Sequence, residues 1–147
     1  MIQLILVVFV VMLIYSFMKS KKEMERQQAQ RDEINAKKNT AIDRLGLNEK
    51  ASAKDKEDRV FILAENNEVY VFNPKDDSID KIEGIKKISS KRRYATAKAG
   101  WATCTQLQDA VLKIELEDGE YLSEFDVYEV KAVEKFEELV SEELGLI

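Results

Sequence analysis

The first 18 residues carry no charged side chain, and this property constrains the fold more than any other. All 23 basic and 28 acidic residues lie at or after Lys19. As a helix, residues 2–18 would span roughly 25 Å at about 1.5 Å per residue, slightly less than the hydrocarbon core of a bilayer. A small domain cannot cover a helix that is apolar on every side. We therefore predict a transmembrane anchor in residues 1–18. Its apolar run consists of Leu4, Ile5, Leu6, Val7, Val8, Phe9, Val10, Val11, Met12, Leu13, Ile14 and Tyr15.

A cleaved signal peptide is the alternative to a retained anchor. Signal peptides carry basic residues before the apolar run and a small-x-small cleavage site after it. This chain has no basic residue before Leu4, and Ser16-Phe17-Met18-Lys19 follows the run. Both features favour a retained anchor.

The positive residues near the predicted anchor lie on one side of it. Five basic residues follow the apolar run between Lys19 and Arg31, and none precedes it. Cytoplasmic segments next to a membrane helix carry the excess of Lys and Arg. We therefore expect a single-pass protein of the cell inner membrane, with its N-terminus outside and its C-terminal domain in the cytoplasm.

The composition removes several function classes. The chain has no histidine, one cysteine, one proline and five glycines, too few for a zinc site, a disulfide framework or a glycine-rich phosphate loop. With no histidine in the chain, no imidazole base can activate Cys104 as a nucleophile. We expect a protein that is not an enzyme, with no catalytic residue, no metal and no cofactor, and we interpret Cys104 as a small buried apolar residue.

Charge and hydropathy divide the remaining chain at Arg59. Residues 19–58 carry 11 basic and 9 acidic side chains and few apolar ones, so they cannot form a core. Good helix formers predict a solvated helix over 19–45, with Gly46 as its C-terminal stop. The charged, aperiodic stretch 48–58 indicates a flexible linker. We therefore expect a transmembrane anchor at 1–18, a charged helical stalk and linker at 19–58, and a cytoplasmic β-rich domain with a C-terminal helix at 59–147.

The domain after Arg59 begins with strand patterns. Two apolar runs, 60–64 and 69–72, flank Asn66-Asn67 and predict a hairpin, because Asn tolerates the positive φ of a tight turn. Asp118-Gly119 between alternating runs predicts a second hairpin. The whole pattern indicates five to seven strands.

An apolar stripe at helical spacing predicts an amphipathic helix over 126–144. Asp126 and Glu129 have the spacing of a capping box at its start. One apolar stripe needs one apolar sheet face to cover it. The expected fold class is therefore α+β, a small antiparallel β-sheet or partly open barrel closed by a C-terminal amphipathic helix.

A meander of short strands closed by one C-terminal helix, over residues 60–144, resembles bacterial pleckstrin-homology-like domains. The resemblance lies in the order of the elements and not in a residue motif. Such domains commonly stand beside membrane anchors and bind proteins or lipids. The resemblance implies a binding module, and no functional residue is transferred from that family.

The run from Ile85 to Leu107 is basic within an acidic domain. No acidic residue lies between Glu83 and Asp109, although residues 59–147 carry 12 basic and 19 acidic side chains. Such a run can meet anionic lipid headgroups, an acidic protein partner or the domain's own acidic helix, or it can be a solvated hairpin whose lysines protect an edge. The acidic surroundings disfavour nucleic acid. The candidate binding residues are Lys86, Lys87, Lys91, Arg92, Arg93, Tyr94, Lys98 and Trp101.

Trp101 has two interpretations. The indole contributes a large fraction of the apolar surface of a small domain, so packing in or beside the core is the favoured interpretation. The alternative is an exposed anchor residue, because Gly100 and the neighbouring alanines leave the indole faces open.

These observations favour a membrane-anchored binding or scaffolding protein whose cytoplasmic domain mediates protein–protein interaction in a membrane assembly. The expected partners are the lipid bilayer and a membrane or cytoplasmic protein, with a homo-oligomer left open. The alternative is an anionic-lipid-binding module that uses the basic run 86–98.

Overall fold

The computed structural model describes residues 1–146 and has an α+β fold. A long helix precedes seven strands and a C-terminal helix. The contacts divide the chain into two compact units, residues 1–36 and the residues from Lys37 onward. The elements are α1 (Ile2–Arg44), β1 (Glu49–Lys54), β2 (Val60–Ala64), β3 (Val69–Asn73), β4 (Ser78–Ile82), β5 (Ile85–Ala99), β6 (Ala102–Leu116), β7 (Glu120–Asp126), a 3₁₀ turn (Val127–Glu129) and α2 (Val130–Glu143).

Helix α1 is continuous and ends at Arg44, one residue before the end of the helix predicted over 19–45. It contains an 18-residue window of mean hydropathy 2.3, none of which is buried. This window makes α1 a candidate membrane span, and a signal sequence would have the same composition. The helix ends in a Schellman motif, in which Leu47 N–H donates to Ile42 O and Gly46 N–H donates to Asp43 O, both at 3.1 Å. Gly46 has φ 68°, so the predicted stop is confirmed.

Strands β1 to β4 form a four-stranded antiparallel sheet in chain order. The predicted β2–β3 hairpin is confirmed, and Asn67 takes φ 64° in its turn. Strand β2 is buried along its whole length, because both of its faces are apolar. Phe61 and Leu63 face one side and Val60 and Ile62 face the other.

The last turns of α1 belong to the same compact unit as this sheet. Ala41 and Ile42 are buried there, and Lys38 Nζ lies 2.7 Å from Glu49 Oε1 at the start of β1.

Strands β5 to β7 form a separate three-stranded antiparallel sheet in chain order. The predicted hairpin at Asp118-Gly119 is confirmed as the β6–β7 connection. No strand within residues 1–146 closes the two sheets into a barrel. The fold therefore has seven strands, the upper limit of the prediction, in two open sheets.

One apolar core joins the two sheets to α2. Phe61 is completely buried, with its ring centroid 5.8 Å from that of Phe125 on β7 and 6.4 Å from that of Phe136 on α2. Helix α2 contributes every third or fourth residue, as its apolar stripe predicts. The core consists of Ala53, Phe61, Leu63, Val69, Val71, Ile82, Ile88, Leu112, Ile114, Phe125, Val133, Phe136 and Val140.

The prediction of a flexible linker over 48–58 is wrong. Strand β1 pairs along β2, with Ala51 opposite Leu63 and Ala53 opposite Phe61. Alanine gives a weak apolar alternation that the surrounding charges hide, but its small side chain fits against the large residues of β2. The domain therefore begins before the predicted boundary at Arg59.

The predicted capping box at Asp126 is also wrong. The Asp126 side chain makes no capping hydrogen bond, because a 3₁₀ turn over 127–129 comes between it and α2. Helix α2 itself starts at Val130 and ends in a second Schellman motif, with Leu146 N–H donating to Ser141 O at 2.9 Å.

Phe61 is the best single test of this core. Removing its ring in Phe61→Ala leaves a cavity where the sheets and α2 meet, and we expect a loss of about 3 to 5 kcal/mol of unfolding free energy. Leu122→Ala is the matched control, since Leu122 is 61% exposed and its loss costs about 0.5 kcal/mol or less. Denaturant unfolding of the full chain in detergent, followed by circular dichroism, measures both. Equal effects would contradict the core described above.

Candidate functional site

Strands β5 and β6 extend well beyond the end of β7, and the part of them that β7 does not reach forms a two-stranded arm. Strand β7 pairs with β6 no further than Asp109. Past that point, within residues 1–146, β5 and β6 pair only with each other. We call residues 94–107 the arm, which is about 20 Å long at about 3.3 Å per residue. Residues 94–106 are exposed and Leu107 is half-buried, so the arm packs on almost nothing.

Gly100 and Trp101 form the two-residue turn at the tip of the arm. Ala99 pairs with Ala102 across it, and Gly100 has φ 63°. Gly at the first central position fits a type II′ hairpin turn, which matches the twist of the strands. Trp101 is 99% exposed. Its interpretation as core packing is wrong, because a side chain at the tip of an isolated hairpin has no neighbouring element to pack on.

Strand alternation gives the arm two different faces. Cross-strand partners share a face, so the pairing assigns each residue. Cys104 is exposed on one of these faces. Its interpretation as a buried residue is therefore wrong, because the arm, as at Trp101, has no neighbouring element to pack on. One face carries Ala95, Ala97, Ala99, Ala102, Cys104 and Gln106, and the other carries Tyr94, Thr96, Lys98, Thr103, Thr105 and Leu107.

Both edges of the arm are open to another strand. Exposed edge strands are usually protected by charges, proline or a bulge. The arm has one charged residue, Lys98, and no proline, and of the two register shifts in the hairpin the nearer one lies at the root of the arm, between Arg93 and Tyr94. A two-stranded ribbon is only marginally stable in water. The arm therefore gains stability from any partner that covers its edges.

A cluster of four charged residues lies at the root of the arm, and we call it the root cluster. The Asp109 side chain is only 1% exposed. Arg93, its cross-strand neighbour, donates Nε–H to Oδ1 and Nη2–H to Oδ2, both at 2.6 Å, and Lys56 donates Nζ–H to Oδ2 at 2.7 Å. Glu124 completes the cluster, with Oε1 3.1 Å from Arg93 Nη2. Bidentate, charge-assisted bonds of this kind fix orientation as well as adding stability.

Lys56 reaches the root cluster because the β1–β2 turn is ordered. The buried Asp55 carboxylate accepts hydrogen bonds from the backbone N–H groups of Glu57 and Arg59, at 3.0 and 2.8 Å, and from Arg59 Nε at 2.9 Å. Lys56 N–H donates to Glu124 O at 2.8 Å. This turn therefore links the first sheet to the root of the arm.

The root cluster stabilises the ionised form of the Asp109 carboxyl. The Arg93 guanidinium is the main cause and Lys56 adds to it, and together they outweigh burial and lower the pKa of Asp109 from 3.8 to about 2. The same mechanism operates at Glu134 on α2, whose pKa is lowered by the Arg92 guanidinium.

The structure distributes the predicted basic residues among different surroundings. Arg92 contacts Glu134 of the acidic helix α2, with Nη2 3.1 Å from Oε2. Arg93 belongs to the root cluster. Lys87 lies directly opposite Glu115, and Lys91 lies on the same face as Glu124. The basic run does not form one continuous basic surface, and only Tyr94, Lys98 and Trp101 of the predicted binding residues belong to the arm.

Sequence reasoning did not bring together the residues of the arm. The signal was present, because Gly100 follows 94–99, where alanine alternates with larger residues, and precedes 102–107, where Thr103 and Thr105 alternate with other side chains. Lys56 and Glu124 carried no such signal, since only tertiary structure places them beside Asp109.

Comparison with family models, curated proteins and solved structures finds no match to the chain. Within residues 1–146, no group of three or more His, Cys, Asp or Glu side chains is arranged to hold a metal ion.

The root cluster predicts a specific pH dependence. Because the folded-state pKa of Asp109 lies below its ordinary value, its pairing contributes stability above pH about 4, which is lost as pH falls through about 2. We expect Asp109→Asn to be less stable than the parent near neutral pH and the difference to shrink steadily in acid. Unfolding midpoints by circular dichroism over this range measure it. A difference that stays constant with pH would contradict the ionised pairing.

The arm is predicted to be dispensable for folding. Replacing residues 94–108 by Asn-Gly joins the Arg93–Asp109 pair through a two-residue turn of the preferred type. Since almost no buried side chain is removed, we expect unfolding of the truncated chain within about 1 kcal/mol of the parent. A far larger loss would mean that the arm packs on the domain.

Proposed function

We propose that this chain is a single-pass, membrane-anchored docking protein whose C-terminal domain binds a protein partner through the arm. The arm is the observation that carries the proposal, because it is an exposed strand pair with both edges free and Trp101 at its tip. Strand edges bind extended partners through main-chain hydrogen bonds. Tryptophan is among the residues most enriched at the energetic centre of protein interfaces.

The anchor part of the proposal is supported by α1. Its apolar window is long enough to span a bilayer with slight thinning, and the basic residues that follow it favour a cytoplasmic domain at the inner membrane. Tethering to a membrane raises the effective concentration of any partner held in the same plane. A weak contact through a single narrow arm is then sufficient.

The domain's architecture is consistent with a binding module of the pleckstrin-homology-like kind. Seven strands followed by α2 agree with the order of elements on which that resemblance rests. The arm then supplies the binding element, and the packed part of the domain holds it in a fixed orientation through the root cluster.

Anionic-lipid binding through the basic run 86–98 is the second candidate. Lys86, Lys87 and Lys91 are exposed and could contact headgroups at about 1 kcal/mol each. Arg92 and Arg93 are held by carboxylates of the domain itself. The geometry therefore favours the protein partner over the lipid.

The single cysteine allows a direct test in native membranes. A benzophenone maleimide attached to Cys104 lies on the arm, and irradiation should give a discrete protein adduct. We expect Trp101→Ala to reduce the adduct about tenfold, the usual cost of losing an interface tryptophan. Adduct bands on denaturing gels, identified by mass spectrometry, measure the yield.

The matched control moves the label to the exposed Leu122 on β7 in a Cys104→Ser, Leu122→Cys variant. That probe should give little adduct, and a membrane-impermeant maleimide should leave Cys104 unmodified in intact cells. Equal yields from the two positions, or labelling from outside, would contradict the proposal.

A further inference from the structure

We propose that the arm binds the arm of a second copy of this chain, with the two arms antiparallel and paired edge to edge about a twofold axis. This inference rests on the proposed function, because it names the partner of the same arm. It also names the contacts that would hold the two copies together.

The backbone of the arm is complementary to itself. Along each arm strand, alternate residues direct their N–H and C=O groups away from the other strand of the hairpin. Two identical strands placed antiparallel can satisfy these groups reciprocally, so that each contact occurs twice in an isologous pair. The strand propensity of Thr96, Thr103 and Thr105 favours such pairing.

The large side chains of the arm stand at its two ends. Trp101 is at the tip and Tyr94 at the root, 99% and 56% exposed, with Leu107 opposite Tyr94. When two arms overlap antiparallel, the tip of each lies beside the root of the other. Trp101 of one copy then packs on Tyr94 and Leu107 of the second copy, and the twofold axis creates the same contact again.

Charge favours a neutral partner strand. Lys98 is the only charge in the arm, so the arm offers no charge pattern for an acidic or basic partner to recognise. Residues 59–147 carry 12 basic and 19 acidic side chains, so two domain bodies repel each other. An arm about 20 Å long holds the bodies apart by more than the Debye length of about 8 Å, where the repulsion is screened.

The experiment uses the full chain in nanodiscs that hold one or two copies. Trp101 is the only tryptophan and Cys104 the only cysteine, so indole emission and a nitroxide on Cys104 both report on the arm. In two-copy discs we expect blue-shifted emission and a nitroxide pair within about 30 Å, since four paired strands are about 15 Å across and the labels add their own length. In one-copy discs we expect the emission of a water-exposed indole.

Substitutions test the geometry. Trp101→Ser and Tyr94→Ser should each reduce the fraction of paired arms about tenfold, measured by the nitroxide pair. The double variant should lose little more than either single variant, because both remove the same contact. Leu122→Ser, another exposed apolar residue outside the arm, is the control and should have no effect.

Three results would overturn the inference. The first is the absence of a close nitroxide pair in two-copy discs. The second is an additive loss of pairing in the double variant of Trp101 and Tyr94. The third is an indole emission that shifts equally in one-copy discs of phosphatidylcholine and phosphatidylglycerol, which would identify the bilayer as the occupant. Arm-dependent photo-adducts to a different protein, without pairing in discs, would reject the second copy and leave the proposed function standing. Absence of both would reject the two proposals together.

Discussion

The buried carboxylate of Asp109 is the interaction on which the arm depends. A two-stranded ribbon has little stability of its own in water, and the arm buries almost none of its side chains. Arg93 lies directly across from Asp109 at the last position where β7 still supports β6. A buried charge is costly unless it is paired, so Asp109 fixes Arg93 across from it at the end of the sheet, directly before the register shifts at the root of the arm.

The packed part of the domain supplies a fixed base for that interaction. Phe61 fills the junction of the two sheets and α2, and β1 completes the first sheet beside it. The turn that follows β1 places Lys56 against Asp109. A continuous series of contacts therefore runs from the core through an ordered turn to the root cluster, and the orientation of the arm is a property of the whole domain.

The sequence predicted the elements whose signals are local. The apolar start of α1, the stop at Gly46 and the hairpins at Asn66-Asn67 and Asp118-Gly119 depend on neighbouring residues, and the structure confirms them. Strand β1 was missed because its alanines become apolar partners only beside β2. Trp101 was misplaced because the rule that large apolar residues are buried assumes that a core lies within reach, and no core reaches the tip of the arm.

Basic and acidic residues that are far apart along the chain become neighbours across the strands. Basic residues of β5 face acidic residues of β6 and β7, in the rows Lys87, Glu115, Glu120 and Arg93, Asp109, Asp126. Opposite charges in such rows contribute roughly 0.2 to 1 kcal/mol per pair. A slip of one residue would turn every side chain of β5 to the other face, so these rows also specify the register of the hairpin between Lys87 and Arg93. Between Arg93 and Asp109 the strands carry only Lys98, so no row of opposite charges extends into the arm. The charged rows therefore hold the strands in register only as far as the root of the arm.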